Sequence, residues 1–127
     1  MFTPDFDKVV STVVGLGVPG LILVLMIGGA GGAGAGAAGI TAALAAFGPG
    51  GMVGGLISIP IAVLISKGIA EYGIEKILKA VLKEMKRKGH TKEELINKIG
   101  KYPVSKNLKL KLKEEIKNFY DKGTVTV

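Results

Sequence analysis

The stretch LILVLMIGGAGGAGAGAAG, residues 21–39, decides the fold class. Its first seven residues are bulky and apolar, whereas no residue from Gly28 to Gly39 is larger than alanine. In water, glycine costs a helix about 1 kcal/mol relative to alanine, so the second part would be a flexible linker. Inside a bilayer every backbone N–H and C=O must bond internally, which enforces a helix. The stretch therefore predicts a membrane helix with a small-residue surface.

A block without charge surrounds this stretch. No Asp, Glu, Lys or Arg occurs at the 58 positions from 9 to 66. About 18 consecutive apolar residues already suggest a membrane helix, and soluble domains carry about 25% charged residues. We therefore expect an integral membrane protein. The alternative is a soluble protein that hides the block in a large oligomer or filament.

Small residues recur in the block at helical spacing. Lipid provides no hydrophobic drive for helix pairing, so small residues three or four apart promote association by allowing close backbone approach. We predict that such residues form helix-packing surfaces and support a homo-oligomer; the alternative is a Gly/Ala loop at the membrane surface. The predicted packing residues are Gly28, Gly32, Gly36, Gly39, Gly51 and Gly55.

Glycine and proline divide the apolar block into segments. We expect a short helix or an entry segment over 9–17, a bend at 17–20 and one helix over 21–47. A turn at 48–51 then leads into a second arm, which continues as an amphipathic helix to about residue 88. Proline has no N–H to donate and disfavours helix at the preceding residue. The predicted hinges are Pro19, Gly48, Pro49 and Pro60.

The C-terminal half has the pattern of amphipathic helices. Apolar residues recur three or four apart from residue 70 to 85, and charged residues lie opposite them. Thr91 and Glu94 form a capping box that predicts a helix over about 92–99. Ser105 is the predicted N-cap of a last helix over about 106–120. The alternation LKLKLK at 108–113 leaves a strand open as the alternative.

Positive charge is concentrated after the apolar block. Residues 67–127 carry 16 Lys/Arg and 8 Asp/Glu, whereas residues 1–8 are weakly acidic. Basic residues near an anionic leaflet contribute about 1 kcal/mol each, and the positive-inside rule places them in the cytoplasm. We therefore expect an inner-membrane protein with a cytoplasmic C-terminus. The predicted contacts with anionic lipid are Lys83, Lys86, Arg87 and Lys88, for which a solvated helix face is the alternative.

Residues that could carry catalysis are scarce. The chain has one histidine, His90, and no cysteine, so we expect no enzyme, no metal and no cofactor. The segment GLGVPG at 15–20 matches a dinucleotide-binding pattern, but no acidic residue follows until Glu71. A nucleic-acid partner is not expected either, because the basic region contains one arginine and few aromatic residues.

Three segments carry a resemblance to known membrane proteins: AAGITAALAAFGPGGMVGGLI at 37–57, ISKGIAEYG at 65–73 and KYPVSKNLKLKLK at 101–113. Together they resemble small glycine-rich, glycine-zipper membrane proteins of Gram-positive bacteria, a group of unknown function. Residues 28–57 also resemble, in composition, the interferon-inducible small glycine-rich membrane proteins, from which the basic C-terminal region departs. These resemblances imply a membrane location and assign no functional residue.

The sequence therefore predicts an all-α protein. A polar lead at 1–8 precedes a glycine-zipper membrane hairpin at 9–67 and a basic helical cytoplasmic region at 68–127. Three membrane segments, at 9–29, 33–48 and 51–67, are the alternative topology. We expect a self-associating protein that perturbs or permeabilises the bilayer, as a toxin or defence effector does. The alternative is a membrane anchor whose basic region docks a partner.

Overall fold

The computed structural model describes residues 4–28, 59–102 and 104–127, and six helices occupy these ranges. They are α1 (Phe6–Leu16), α2 (Val18–Gly28), α3 (Ile59–Tyr72), α4 (Ile74–Arg87), α5 (Lys92–Ile99) and α6 (Lys106–Lys122). The described ranges contain no strand, which confirms the all-α class. The LKLKLK segment lies in α6, where Leu108 and Leu112 are buried and Leu110 is 55% exposed.

The first helix begins earlier than the sequence predicted. The Asp5 side chain accepts a hydrogen bond from Asp7 N at 3.1 Å and caps α1, so part of the predicted polar lead is helical. The helix ends at Gly17, whose φ of 73° suits glycine. The predicted bend at 17–20 therefore lies at Gly17. Pro19 sits in the first turn of α2, where a missing N–H is tolerated.

Helix α2 lies at the centre of the described structure. Its sequence VPGLILVLMIG has no polar side chain, and nine of its 11 residues are buried. It contacts each of the other five helices. A helix that is apolar on all sides is stable only in a protein core or in a membrane. Here its neighbours in the bundle cover it.

The second predicted arm is two helices, not one. Helix α3 ends at Tyr72 and α4 begins at Ile74, because Gly73 between them has a φ of 87°. An α-helix requires a negative φ, so the prediction of an uninterrupted helix to about residue 88 was wrong. Pro60 lies in α3, at the edge of the described residues. Gly89, with a φ of 97°, follows the C-cap of α4, in agreement with the predicted end of this helix near residue 88.

Side-chain caps fix the starts of the last two helices. The Thr91 hydroxyl accepts a hydrogen bond from Glu94 N at 3.1 Å, and the Ser105 hydroxyl accepts one from Leu108 N at 3.2 Å. Both predicted caps are thereby confirmed. The second half of the predicted capping box does not form, because the Glu94 carboxylate contacts His90 and Lys98 instead.

Two glycines allow neighbouring helices to approach closely. A Cβ added at Gly68 in α3 would lie 2.8 Å from Cγ1 of Val9 in α1. One added at Gly28, at the end of α2, would lie 2.9 Å from Cγ1 of Ile74 in α4. These contacts occur between helices of one chain.

The described parts of the apolar block and of the basic region share one core. Helix α2 packs against α4, α5 and α6, and α3 runs through the boundary predicted at residue 67. Within the described ranges, no helix combines the length and the apolar character needed to cross a bilayer. The predicted turn at 48–51 and the predicted helix beyond Gly28 lie outside the described residues.

Candidate functional site

The outer face of α4 is a row of cations. With about 100° of rotation per residue, Lys76, Lys79, Lys83, Lys86 and Arg87 fall within an arc of about 100°. All five are exposed, and the buried residues of α4 occupy the opposite face. The row extends over roughly 16 Å at about 1.5 Å of rise per residue. We call these five residues the cationic stripe.

Aromatic rings hold both ends of the cationic stripe. Lys76 Nζ lies 5.1 Å from the ring centroid of Phe6 and 5.5 Å from that of Tyr72, and these two rings pack edge to face. At the other end, Lys86 Nζ lies 5.5 Å from the ring centroid of Tyr120. Such cation–π contacts stabilise an ammonium group without neutralising its charge. The two terminal lysines therefore remain cations at defined positions.

Acidic residues border the cationic stripe on each side. The guanidinium of Arg87 donates to both Glu84 carboxylate oxygens, and this hydrogen bonding lowers the pKa of Glu84 and raises that of Arg87. Glu84 thus pairs with Arg87, three residues on, and makes no ion pair with Lys88 among the described residues. Lys79 likewise makes no ion pair with Glu75 in the described structure. The four lysines consequently supply the unneutralised charge of the stripe.

Three of the four predicted lipid contacts belong to the cationic stripe: Lys83, Lys86 and Arg87. Lys88 does not, because it lies to one side of α4, where it lines a groove with Asp7 of α1. The sequence-based prediction left out Lys76 and Lys79. Their positions on the polar face were visible in the helical periodicity, but the prediction followed the local density of basic residues instead of the helix face.

Most predicted packing and hinge residues fall outside the described ranges. Of the packing glycines, only Gly28 is described, at its contact with Ile74. Pro19 lies in the first turn of α2, and Pro60 lies in α3. The remaining predicted residues are outside the described structure: Gly32, Gly36, Gly39, Gly48, Pro49, Gly51 and Gly55.

The single histidine takes part in a polar cluster at the start of α5. His90 Nδ1 lies 3.0 Å from Glu94 Oε2, and Lys98 Nζ lies 3.1 Å from the same oxygen. Hydrogen bonds from His90 and then Lys98 lower the pKa of Glu94. The Tyr120 hydroxyl donates to the His90 carbonyl oxygen at 2.7 Å, and burial raises the pKa of Tyr120. These contacts join α5 to α6.

Neither a group of metal ligands in the described residues nor a similarity to a known protein assigns a function to this surface. Among residues 4–28, 59–102 and 104–127, no three His, Cys, Asp or Glu side chains are grouped as metal ligands would be. The features that bear on function are therefore the cationic stripe and the apolar α2 beneath it. No protein-family model matches the sequence, and no curated protein or solved structure is significantly similar to it.

Proposed function

We propose that this protein perturbs or permeabilises anionic membranes. The cationic stripe binds the bilayer surface, and the apolar block that contains α2 then leaves the bundle and enters the hydrocarbon. The observation that carries this proposal is the burial of an entirely apolar helix beneath amphipathic helices with a basic outer face.

The free energy that keeps α2 in the bundle comes from the burial of its aliphatic side chains. Burying a large aliphatic side chain away from water contributes about 1.5–3 kcal/mol. The aliphatic side chains of Leu21–Leu25 and Ile27 are fully buried in the bundle, and hydrocarbon would remove them from water equally well. Transfer of α2 from the bundle to a bilayer therefore loses little of the free energy gained by burying these side chains. A polar group on α2 would make the same transfer expensive, and none is present.

The helices that α2 would leave behind can be stabilised at a bilayer surface. Helix α4 has a fully apolar inner face, made by Ile77, Leu78, Val81, Leu82 and Met85. Without α2, part of this face would be exposed to water. An amphipathic helix with basic residues on its polar face is stable in the headgroup region of a bilayer, where its apolar side enters the acyl boundary. The bundle can thus open at a membrane surface at lower cost than in water.

Charge supplies the initial attraction. Four lysines of the cationic stripe near an anionic leaflet contribute about 1 kcal/mol each, and Tyr72 and Tyr120 at its ends are residues favoured at membrane interfaces. In the inserted state, the small residues of the uncharged block provide the surface for self-association. The basic C-terminal region stays on the cytoplasmic side of the inner membrane, in accordance with the positive-inside rule.

A membrane anchor that docks a partner through its basic helices is the second candidate. The exposed polar faces of α4 and α6 favour it, because each carries several lysines. The two candidates differ in outcome, since an anchor binds the bilayer without making it leak.

The test compares two double variants of equal charge. Lys79→Gln/Lys83→Gln removes the centre of the cationic stripe, and Lys117→Gln/Lys122→Gln removes two exposed lysines of α6. At about 1 kcal/mol per lysine, the first should weaken partitioning into phosphatidylglycerol vesicles by about 30-fold, and the second by much less. Dye release should follow the same order and should be absent with zwitterionic vesicles. Binding without release would support the anchor, and equal losses would reject the stripe as the docking surface.

A further inference from the structure

The segment after α6 turns back onto the bundle. Gly123 ends α6 with a φ of 76°, a left-handed conformation that reverses the chain direction. Residues 124–127 follow without helix or strand, and Val125 and Val127 pack, half-buried, against the hydrophobic core. We call these four residues the C-terminal tail.

A buried carboxylate holds the C-terminal tail. Glu115 in α6 is fully buried, and its Oε1 accepts a hydrogen bond from Thr126 N at 2.7 Å. The Thr126 hydroxyl lies 3.3 Å from Oε1 and 3.2 Å from Oε2, and Lys111 Nζ lies 3.1 Å from Oε2. Burying a charge is costly unless it is paired and hydrogen-bonded. The buried Glu115 carboxylate therefore needs its contacts with Thr126 and Lys111. Losing the tail removes the backbone donor and hydroxyl that satisfy this carboxylate.

The position of this carboxylate is unusual for a purely structural residue. Glu115 lies on the same face of α6 as Leu112, Ile116 and Phe119, which are all buried. An apolar side chain of similar volume is often at least as stabilising at such a position as a buried ion pair. What the carboxylate adds is a specific set of hydrogen bonds to Thr126, which form or break together when the C-terminal tail binds or leaves.

The C-terminal tail and the first two lysines of the cationic stripe line the same cleft. Thr124, Val125 and Val127 line one side of a cleft of about 720 Å³, and residues 72–76 and Lys79 line the remainder. The tail therefore lies between α6 and the α3–α4 junction. Because α6 also packs against α2 and α4, a tail in place holds one of the helices that cover α2.

We propose that the C-terminal tail is a latch on the membrane-active bundle, closed by the Glu115–Thr126 contact. This inference rests on the proposed function and concerns its regulation. While the latch is closed, α6 stays on α2. A membrane binds the open form better, because only that form presents α2 and the inner helix faces to the bilayer. The strength of the latch therefore sets how readily an anionic surface opens the bundle.

Two variants that open the latch and two matched controls test this. Thr126→Pro removes the backbone donor and hydroxyl and, because position 126 is exposed, places no new side chain in the core; Thr124→Val is its control. Glu115→Gln weakens the same contact from α6, and its control is the exposed neighbour Glu114→Gln. Far-UV circular dichroism verifies that each variant remains helical.

Two measurements are made on each protein: hydrogen exchange of the Thr126 amide in water, where that amide is present, and dye release from phosphatidylglycerol vesicles. Because a hydrogen bond to a charged group is stronger than one to a neutral group, we expect the Thr126 amide to exchange about tenfold to hundredfold faster in Glu115→Gln. Dye release should accelerate about tenfold or more in Glu115→Gln and Thr126→Pro, and neither rate should change in the controls.

Two results would contradict the latch in different ways. Faster exchange in Glu115→Gln, combined with dye release at the original rate in both latch variants, would overturn the latch and leave the proposed function standing. Absence of dye release from the unaltered protein and from every variant would overturn the proposed function, and the latch with it.

Discussion

Replacing Gly68 by alanine should destabilise the bundle, although alanine is the better helix former. Gly68 lies in α3, and a Cβ added there would lie 2.8 Å from Cγ1 and 2.9 Å from Cγ2 of Val9. Val9 is fully buried in α1 and cannot easily turn away, because a β-branched side chain in a helix has one preferred rotamer. The new methyl group must therefore push the helices apart.

The magnitude follows from two opposing effects. Overpacking a core costs about 1–3 kcal/mol, and replacing glycine by alanine within a helix returns up to about 1 kcal/mol. The difference is about 0–2 kcal/mol, so we expect a net loss of about 1 kcal/mol. Gly15→Ala is the matched control, because Gly15 is exposed in α1 and a Cβ there meets nothing within 4 Å. That change should stabilise the bundle by about 0.4–1 kcal/mol.

Urea denaturation followed by far-UV circular dichroism measures both changes. In a Val9→Ala background, Gly68→Ala should lose most of its cost, since the methyl groups that it meets are gone. This coupling separates the contact from any general effect on α3. If Gly68→Ala stabilises the protein as much as Gly15→Ala does, α1 and α3 do not pack as described.

Three further changes test local features. Ser105→Ala should cost about 1 kcal/mol in the free energy of unfolding, because it removes the N-cap of α6. Gly73→Ala should cost about 1 kcal/mol or more in the same assay, since the φ of 87° there disfavours any side chain. The lowered pKa of Glu94 means that its ionised form stabilises the fold above the ordinary value of 4.5, and that this contribution is lost as the pH falls through the folded-state pKa. An NMR titration should place that pKa below 4.5, and His90→Ala should move it upward.

The helices of the basic region were predictable because local signals decide them. Thr91 and Ser105 cap helices at the expected positions, and the apolar periodicity identified the buried face of α4. The break at Gly73 was missed, because a single glycine within a continuous amphipathic pattern does not reveal its φ. The start of α1 differs from the prediction for a related reason: Asp5 lies in the predicted polar lead, although an aspartate just before an apolar run is also an N-cap signal.

The packing of α2 could not be derived from its sequence. A helix that is apolar on every side suits a protein core and a bilayer equally, so the segment itself carries no preference. What distinguishes the two surroundings is tertiary: α4, α5 and α6 each bring a face to α2 from more than 40 residues away. The cationic stripe could have been predicted from the sequence, because helical rotation alone places Lys76 and Lys79 on the same face as Lys83. The contact between Glu115 and Thr126 depends on a chain reversal at Gly123 that no periodicity indicates.

The most direct test of the proposed function follows α2 itself. The chain contains no tryptophan, so Met26→Trp, at a half-buried position of α2, introduces one fluorescent indole. The protein is mixed with phosphatidylglycerol vesicles whose acyl chains carry bromine, and cosedimentation establishes that it is bound. We expect bromine placed deep in the acyl chains to quench the indole strongly, because α2 has entered the hydrocarbon. Bound protein whose indole is not quenched would show that α2 stays inside the bundle, and that the protein does not act by inserting it.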